Sequence, residues 1–144
     1  MVLLSLAGCG KQEPSPTVAV DSTSADLAAA WVRNYYRAIN ERRYRDAYMH
    51  WERDGAASGK TFEEFRKGFD QTDRVEATIG PPGPVGAAAG SRYVDVPVKI
   101  EARSVDGTQT EYGGSYTLRL SVVDGATPEQ RSWHIYSAAV RLVK

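Results

Sequence analysis

Apolar residues recur along the chain at two spacings, and the change from one to the other divides the sequence. Leu27, Trp31, Tyr35, Ala38 and Ile39 stand three or four residues apart, the spacing that places side chains on one face of a helix. Thr23 or Ser24, just before Asp26, supplies an N-cap for this first helix. Asn40 interrupts it. Tyr44, Ala47, Tyr48 and Trp51 then repeat the spacing and predict a second helix, which Asp54-Gly55 ends. Thr61 and Glu64 form a capping box, and Phe62, Phe65 and Phe69 an aromatic stripe on the third helix, read as core.

From Asp73 the period becomes two. Val75, Ala77 and Ile79 share one face of a first strand, and the run from Gly80 to Gly90, with its prolines and glycines, excludes a helix and reads as a long exposed connection. Val94, Val96, Val98 and Ile100 alternate with Asp95, Pro97, Lys99 and Glu101, which gives the next strand one buried and one wetter face. Asp106-Gly107 signals a two-residue hairpin turn. That turn sets the apolar positions against Arg119, Thr117, Ser115 and Gly113, so a bulge at Gly113-Gly114 is expected to restore the match. It would bring Ile100 opposite Gly114, Val98 opposite Tyr116, Val96 opposite Leu118 and Val94 opposite Leu120, and bend the hairpin. A last strand runs from Trp133 to Val143. Its alternation puts Trp133 and Ile135 on one face and Tyr136, Ala138, Val140 and Leu142 on the other, which predicts a homodimer through the outer sheet face.

Helices first and strands second predict an α+β fold, with three N-terminal helices packed on a strongly bent antiparallel sheet of about four strands. The expected core is Leu27, Trp31, Tyr35, Ala47, Tyr48, Phe62, Phe65, Val96, Val98, Leu118, Leu120 and Trp133.

The 144 residues suit one domain, and 18 Lys plus Arg against 18 Asp plus Glu leave no net field. Nucleic acid is therefore not an expected partner. No apolar run approaches the roughly 20 residues that span a bilayer. The single cysteine, Cys9, can form neither an internal disulfide nor a thiolate-rich metal site.

The residues around that cysteine carry a specific signal. Leu6-Ala7-Gly8-Cys9 closes a short apolar stretch and resembles the lipobox of bacterial lipoproteins, in which a signal is cut immediately before a lipidated cysteine. The resemblance implies that residues 1–8 are a signal remnant, that Cys9 carries the acyl chains, and that 9–24, small, polar and proline-bearing, is a flexible tether. The folded domain is then 25–144. The implied location is the cell envelope, lipid-anchored. Gly10 is not the aspartate associated with inner-membrane retention, so in a Gram-negative host the outer membrane's periplasmic face is favoured.

The order of elements, the stretch Tyr35-Tyr36-Arg37-Ala38-Ile39-Asn40-Glu41-Arg42-Arg43-Tyr44-Arg45-Asp46-Ala47-Tyr48 and the triplet Trp133-His134-Ile135 resemble the nuclear transport factor 2-like, cystatin-type cone. That superfamily includes SnoaL-like and ketosteroid-isomerase-like proteins. The resemblance implies a pocket between helices and concave sheet, here expected to be lined by Trp31, Tyr35, Tyr48, Trp51, Phe65, Tyr116 and Trp133. Enzymes of the superfamily use an aspartate or histidine base and tyrosine or carboxylic-acid donors there. Tyr35 or Tyr36 would match the donor, and Asp54 or Glu52 the base. The leading expectation is a noncatalytic, lipid-anchored domain binding a small apolar ligand, an envelope component or a partner protein. The alternative is a ketosteroid-isomerase-like isomerase, dehydratase or hydrolase.

His50 and Asp54, four apart, are read as a surface ion pair rather than a metal site, and His134 as pointing away from Trp133. Arg42-Arg43-Tyr44-Arg45, flanked by Glu41 and Asp46, is read as a solvated helix face rather than a headgroup contact. No metal or cofactor is expected.

Overall fold

The computed structural model describes residues 21–144, so Cys9 and the expected signal and most of the tether lie outside the described residues. Helix α1 spans Ala25–Asn40, α2 Tyr44–Tyr48 and α3 Phe62–Lys67, with a short 3-10 turn at Ala56–Ser58 between the last two. Strands follow at Thr72–Ile79 (β1), Gly86–Ala88 (β2), Ser91–Ser104 (β3), Gln109–Ser121 (β4) and His134–Leu142 (β5). The pairings between these strands are antiparallel, in the order β1-β3-β4-β5 with β2 also paired to β3. The fold is α+β, three helices on a bent antiparallel sheet, consistent with a nuclear transport factor 2-like cone. Among the described residues no helix is long and apolar enough to cross a membrane.

The Ser24 hydroxyl caps α1 by accepting from the Asp26 amide at 3.2 Å. The buried face of α1 is Ala28, Val32, Tyr35, Tyr36 and Ile39, turned from the expected stripe, with Ala29 and Ala38 beside it. Leu27 is 38% exposed and is not core, because the sheet approaches α1 from the side carrying Tyr36. Trp31 and Phe62 are only partly buried, packed on the core's margin. The other expected core residues are buried.

The second helix stops at Tyr48, short of the expected Asp54-Gly55, because the next residues pair with β5 instead. Ile135 donates its amide to the His50 carbonyl at 2.9 Å and accepts from the Glu52 amide at 2.9 Å, leaving Trp51 bridged to Ile135. The chain then turns through Arg53, Asp54 and Gly55, all left-handed with φ of 54°, 54° and 96°. Each non-glycine residue held there costs about 1–2 kcal/mol. Gly55 has a separate reason: a Cβ would meet Tyr48 Cε1 at 2.2 Å.

The β3–β4 register also differs from expectation. Val94 faces Leu118, Val96 faces Tyr116, Val98 faces Gly114 and Ile100 faces Tyr112, in an unbroken ladder past Gly113 and Gly114. The expected bulge is absent there. The loop holds three residues rather than two, since Ser104 donates to the Thr108 carbonyl at 2.8 Å and Gly107 takes the left-handed conformation (φ 88°). That loop alone matches apolar to apolar. Irregular registers lie instead between Thr72 and Arg74 of β1 and between Thr117 and Leu118 of β4 opposite β5.

The second irregularity leaves Tyr136 as the extra residue of β5. Tyr136 stays on the convex side, its ring 5.8 Å from that of Tyr93 and under the Arg119 guanidinium at 4.3 Å. Ala138 and Val140, opposite Tyr116 and Gly114, are carried to the concave side. The apolar residues expected on one outer face are thus split between two faces.

Pro97 shapes the opposite edge. Gly80 donates to its carbonyl at 2.9 Å, but Pro97 has no N–H to return, and the β1–β3 ladder ends one residue earlier at Ile79 and Val98. The 80–90 segment then follows β3, with Gly83 donating to Asp95 and β2 pairing with Ser91, Arg92 and Tyr93.

Candidate functional site

The concave side of the sheet meets α1 in a cluster of aromatic rings. Tyr35 and Tyr36 are adjacent on α1, yet both are buried, because the sheet curls around that side of the helix. Tyr35 makes edge contacts with Tyr36, Trp51 and Tyr116 at centroid separations of 5.0, 6.3 and 6.1 Å. The Tyr36 and Tyr116 hydroxyls hydrogen-bond directly to each other across the helix–sheet interface.

Two half-open cavities adjoin this cluster, sharing Tyr35, Gly68 and Phe69 in their walls. One, about 210 Å³, is lined by Tyr35, Tyr36, Tyr116 and the aliphatic groups of Val75, Ile100 and Val140, with Tyr112 at its side. The other, about 290 Å³, is lined by Tyr35, Trp51 and Phe65, with Ser58 and Lys60 at its rim. No carboxylate and no histidine lines either cavity.

Burial sets the protonation of the phenols. Desolvation, reinforced by the neighbouring Tyr116, pushes Tyr35 and Tyr36 far above the ordinary tyrosine range. It pushes Tyr116 up to about 12, against the opposing effect of its hydrogen bond with Tyr36. All three therefore stay protonated in any physiological medium. The Trp51 indole N–H, which only donates, is buried without an acceptor, a situation that typically costs about 1–3 kcal/mol. The Tyr35 hydroxyl beside it is a loose acceptor: donation from the Trp51 indole opposes the burial that raises the Tyr35 pKa.

Of the residues expected to line the pocket, Tyr35, Trp51, Phe65 and Tyr116 do so. The other three serve the walls from behind. Tyr48 donates its hydroxyl to the Lys60 carbonyl at 2.7 Å and packs on Phe62 and Phe65. Trp133 donates its indole N–H to the Ser24 carbonyl at 2.9 Å and ties the start of α1 to β5. Trp31 donates to the His50 carbonyl at 3.1 Å, its ring set between the imidazoles of His50 (4.2 Å) and His134 (5.1 Å). Tyr36, Phe69 and Val140 were not among the expected lining residues. For Val140, only the irregular β4–β5 register could have indicated it.

Asp54 and Glu52, the expected bases, line a separate polar cleft of about 400 Å³ with Arg119, Gln130 and His134. Glu52 is held there by Arg119, with N–O separations of 2.9 and 2.8 Å. The structure thus places Tyr35 and Tyr36 in one site and Asp54 in another. His50 and Asp54 do not share a helix, since α2 has ended before either. The His50 ring nitrogen Nδ1 lies 2.7 Å from the Asp46 carbonyl instead. Burial, with a contribution from His134, lowers the His50 pKa against the effects of Asp46. His134 does not project away from the core but is buried beside Trp31, consecutive with the equally buried Trp133 and Ile135. Arg43 is paired with Glu41 and Asp46, both at 2.7 Å, Arg42 reaches the Asp73 carbonyl, and Arg45 covers the Phe62 ring.

No protein-family model and no curated protein matches the chain. Among solved structures, the Kfla4162 protein of Kribbella flavida is similar, with a TM-score of 0.59 at 12% sequence identity over 85% of this chain and 92% of that one. A conserved protein of Planctomyces limnophilus aligns with a TM-score of 0.43 at 11% identity over 78% of this chain and 98% of that one. The Kribbella flavida likeness is one of fold.

Proposed function

We propose that this protein is a noncatalytic, lipid-anchored domain of the cell envelope whose cone holds a small apolar ligand. The observation that carries this reading is the content of the cone: aromatic and aliphatic walls, hydroxyls that stay protonated, and no carboxylate or imidazole among the lining residues. Abstraction of a proton needs a base within hydrogen-bond reach of the substrate. Glu52, Asp54 and His134 gather in a different cleft. Space is adequate for binding, since a dry apolar cavity of about 150 Å³ already accepts benzene and each lobe here exceeds that, at about 210 and 290 Å³. The anchoring part of the reading rests on Leu6-Ala7-Gly8-Cys9.

Two experiments test it. Toluene and indole titrated into the protein are expected to shift the Trp51 indole N–H resonance saturably, while a β,γ-unsaturated ketone is not isomerised above the buffer rate. Isomerisation that Tyr36→Phe abolishes would establish the enzymatic alternative. Expressed in a bacterium behind a lipoprotein signal, the Cys9→Ala variant is expected to leave the membrane fraction or to remain unprocessed. Full membrane retention in processed form would refute the anchor.

A further inference from the structure

The segment 61–70, which contains α3, makes its polar bonds with itself. Thr61 caps the helix by accepting from the Glu64 amide at 3.2 Å, and Arg66 pairs with Glu63 at 3.1 Å and with Asp70 at 3.9 Å. Among the described residues no hydrogen bond or ion pair runs from this segment to the body of the protein. The ties lie just outside it. The Lys60 carbonyl accepts from the Tyr48 hydroxyl at 2.7 Å on one side, and the Gln71 carbonyl accepts from the Val105 amide at 2.9 Å on the other.

Between those ties the segment is held down by ring packing. Phe62 meets Tyr48 at a centroid separation of 5.6 Å and lies under the Arg45 guanidinium, Phe65 meets Tyr48 at 5.3 Å and Tyr35 at 6.4 Å, and Phe69 stacks on Tyr44 at 5.8 Å. Of these three only Phe65 is buried, whereas α1 buries seven side chains. A stretch with so few buried contacts opens at lower free energy than the elements it rests on. Its internal caps and ion pairs let it move as a unit. Gly59, just before it, is left-handed (φ 75°) with nothing within 4 Å of a Cβ built there, which supplies a permissive pivot in open space.

The segment ends over the cone. The two lobes have Tyr35, Gly68 and Phe69 in common, so the Gly68–Phe69 end of the segment, lying over Tyr35, is the partition between them. Trp51 and Phe65 stand on one side of it, Tyr116, Ile100 and Val140 on the other. Lifting the segment takes Phe69 out of the way and leaves one apolar trough across the Tyr35 ring. A single ring fits either lobe with the partition in place. A longer molecule has to pass Phe69, and once past it buries apolar surface in both lobes at once. We infer that 61–70 is a lid, and that the ligand it admits is an elongated apolar molecule of two ring-sized units lying across Tyr35 from Trp51 to Val140. This inference rests on the ligand-binding reading above and gives it a shape and a way in.

Toluene and diphenylmethane, one ring and two, test it on the full chain by tryptophan fluorescence titration and stopped-flow mixing. Diphenylmethane is expected to bind ~tenfold or more tighter, because the second lobe buries its second ring, and to associate more slowly, because it waits for the lid. Tyr48→Phe keeps the ring but removes the tie to Lys60. It is expected to speed diphenylmethane association ~fivefold and toluene association less than ~twofold. Relaxation-dispersion NMR of the unaltered protein is expected to show microsecond-to-millisecond exchange in residues 59–71 and none in β3, and diphenylmethane to suppress it. Equal affinity for the two compounds, equal acceleration of both by Tyr48→Phe, or a segment 59–71 as free of exchange as β3 would overturn the lid while leaving a ligand-binding cone. Absence of binding by both compounds would overturn the two readings together.

Discussion

The carbonyl oxygen of Ala139 lies so close over Gly114 that a Cβ built on the glycine would stand 1.9 Å from it. Gly114 also has φ of +148°, a conformation that side chains rarely adopt. Strand β5 can therefore press onto β4 only because this residue has no side chain. Gly114→Ala is expected to cost about 2–4 kcal/mol by chemical denaturation, with early loss of amide protection along Ser137 to Leu142. Gly113→Ala serves as control, since its Cβ would meet only a Val143 methyl at 3.4 Å. It is expected to change stability by less than about 1 kcal/mol.

The Tyr36–Tyr116 hydroxyl pair gives a non-additive prediction. Tyr36→Phe or Tyr116→Phe alone leaves a buried hydroxyl without its partner and is expected to cost about 1–2 kcal/mol. The double change removes both and is expected to cost less than the sum of the two. Urea denaturation of the four proteins measures this directly.

The same phenols tie stability to alkaline pH. Their pKa values are raised in the folded state by burial, from 10.0, to about 12 for Tyr116 and far above the ordinary value for Tyr35 and Tyr36. The folded protein therefore retains protons that the unfolded chain releases. Stability is fully present below the unfolded value and falls as pH climbs through it toward the folded ones. Ultraviolet titration is expected to show three tyrosines that ionise only as the protein unfolds.

At the acid end His50 acts with the opposite sign. Burial lowers its pKa from 6.5, so the folded state prefers the neutral ring while the unfolded chain binds the proton more readily. Stability is present above the unfolded value and declines as pH falls through it toward the folded one. Melting temperature is expected to drop between about pH 8 and about pH 5, and His50→Gln to flatten that slope. An unchanged slope would locate the acid sensitivity elsewhere.

The Glu52–Arg119 pair is partly buried, with side-chain exposures of 18% and 29%. A double-mutant cycle with Glu52→Gln and Arg119→Met is expected to give a coupling of about 1–2 kcal/mol, above that of an exposed pair. Added salt should change it little.

What the sequence made legible was local. The Ser24 cap, the Thr61–Glu64 box, the alternation of Val94 to Ile100 and the shift of period at the helix–strand boundary all report forces between residues close together in the chain, and each appears where expected. Illegible features had distant causes. Nothing near Trp51 says that Ile135 will draw it off a helix whose spacing it fits. Nothing near Asp106-Gly107 distinguishes a two-residue loop from a three-residue one, and that choice moved the β3–β4 register. The candidate site mixed both kinds: aromatic spacing indicated Tyr35, Trp51 and Phe65, but whether Asp54 joined them depended on the turn at Arg53, which the β5 contact dictates.

That contact has a consequence for the order in which the chain can be completed. Emerging from a ribosome or crossing a membrane, His50, Trp51 and Glu52 precede by most of the domain the Ile135 amide and carbonyl that capture them. Until the final strand arrives, the wall of the cone containing Trp51 lacks the two main-chain hydrogen bonds to Ile135 that fix it, and the rings of Tyr35 and Phe65 are less well shielded from water. Closure waits on a contact of large sequence separation, which is slow to form and leaves apolar surface exposed in the interim. A chain interrupted before residue 135 would be more than a shortened protein: it would be a cone with one wall unsecured and a target for proteolysis.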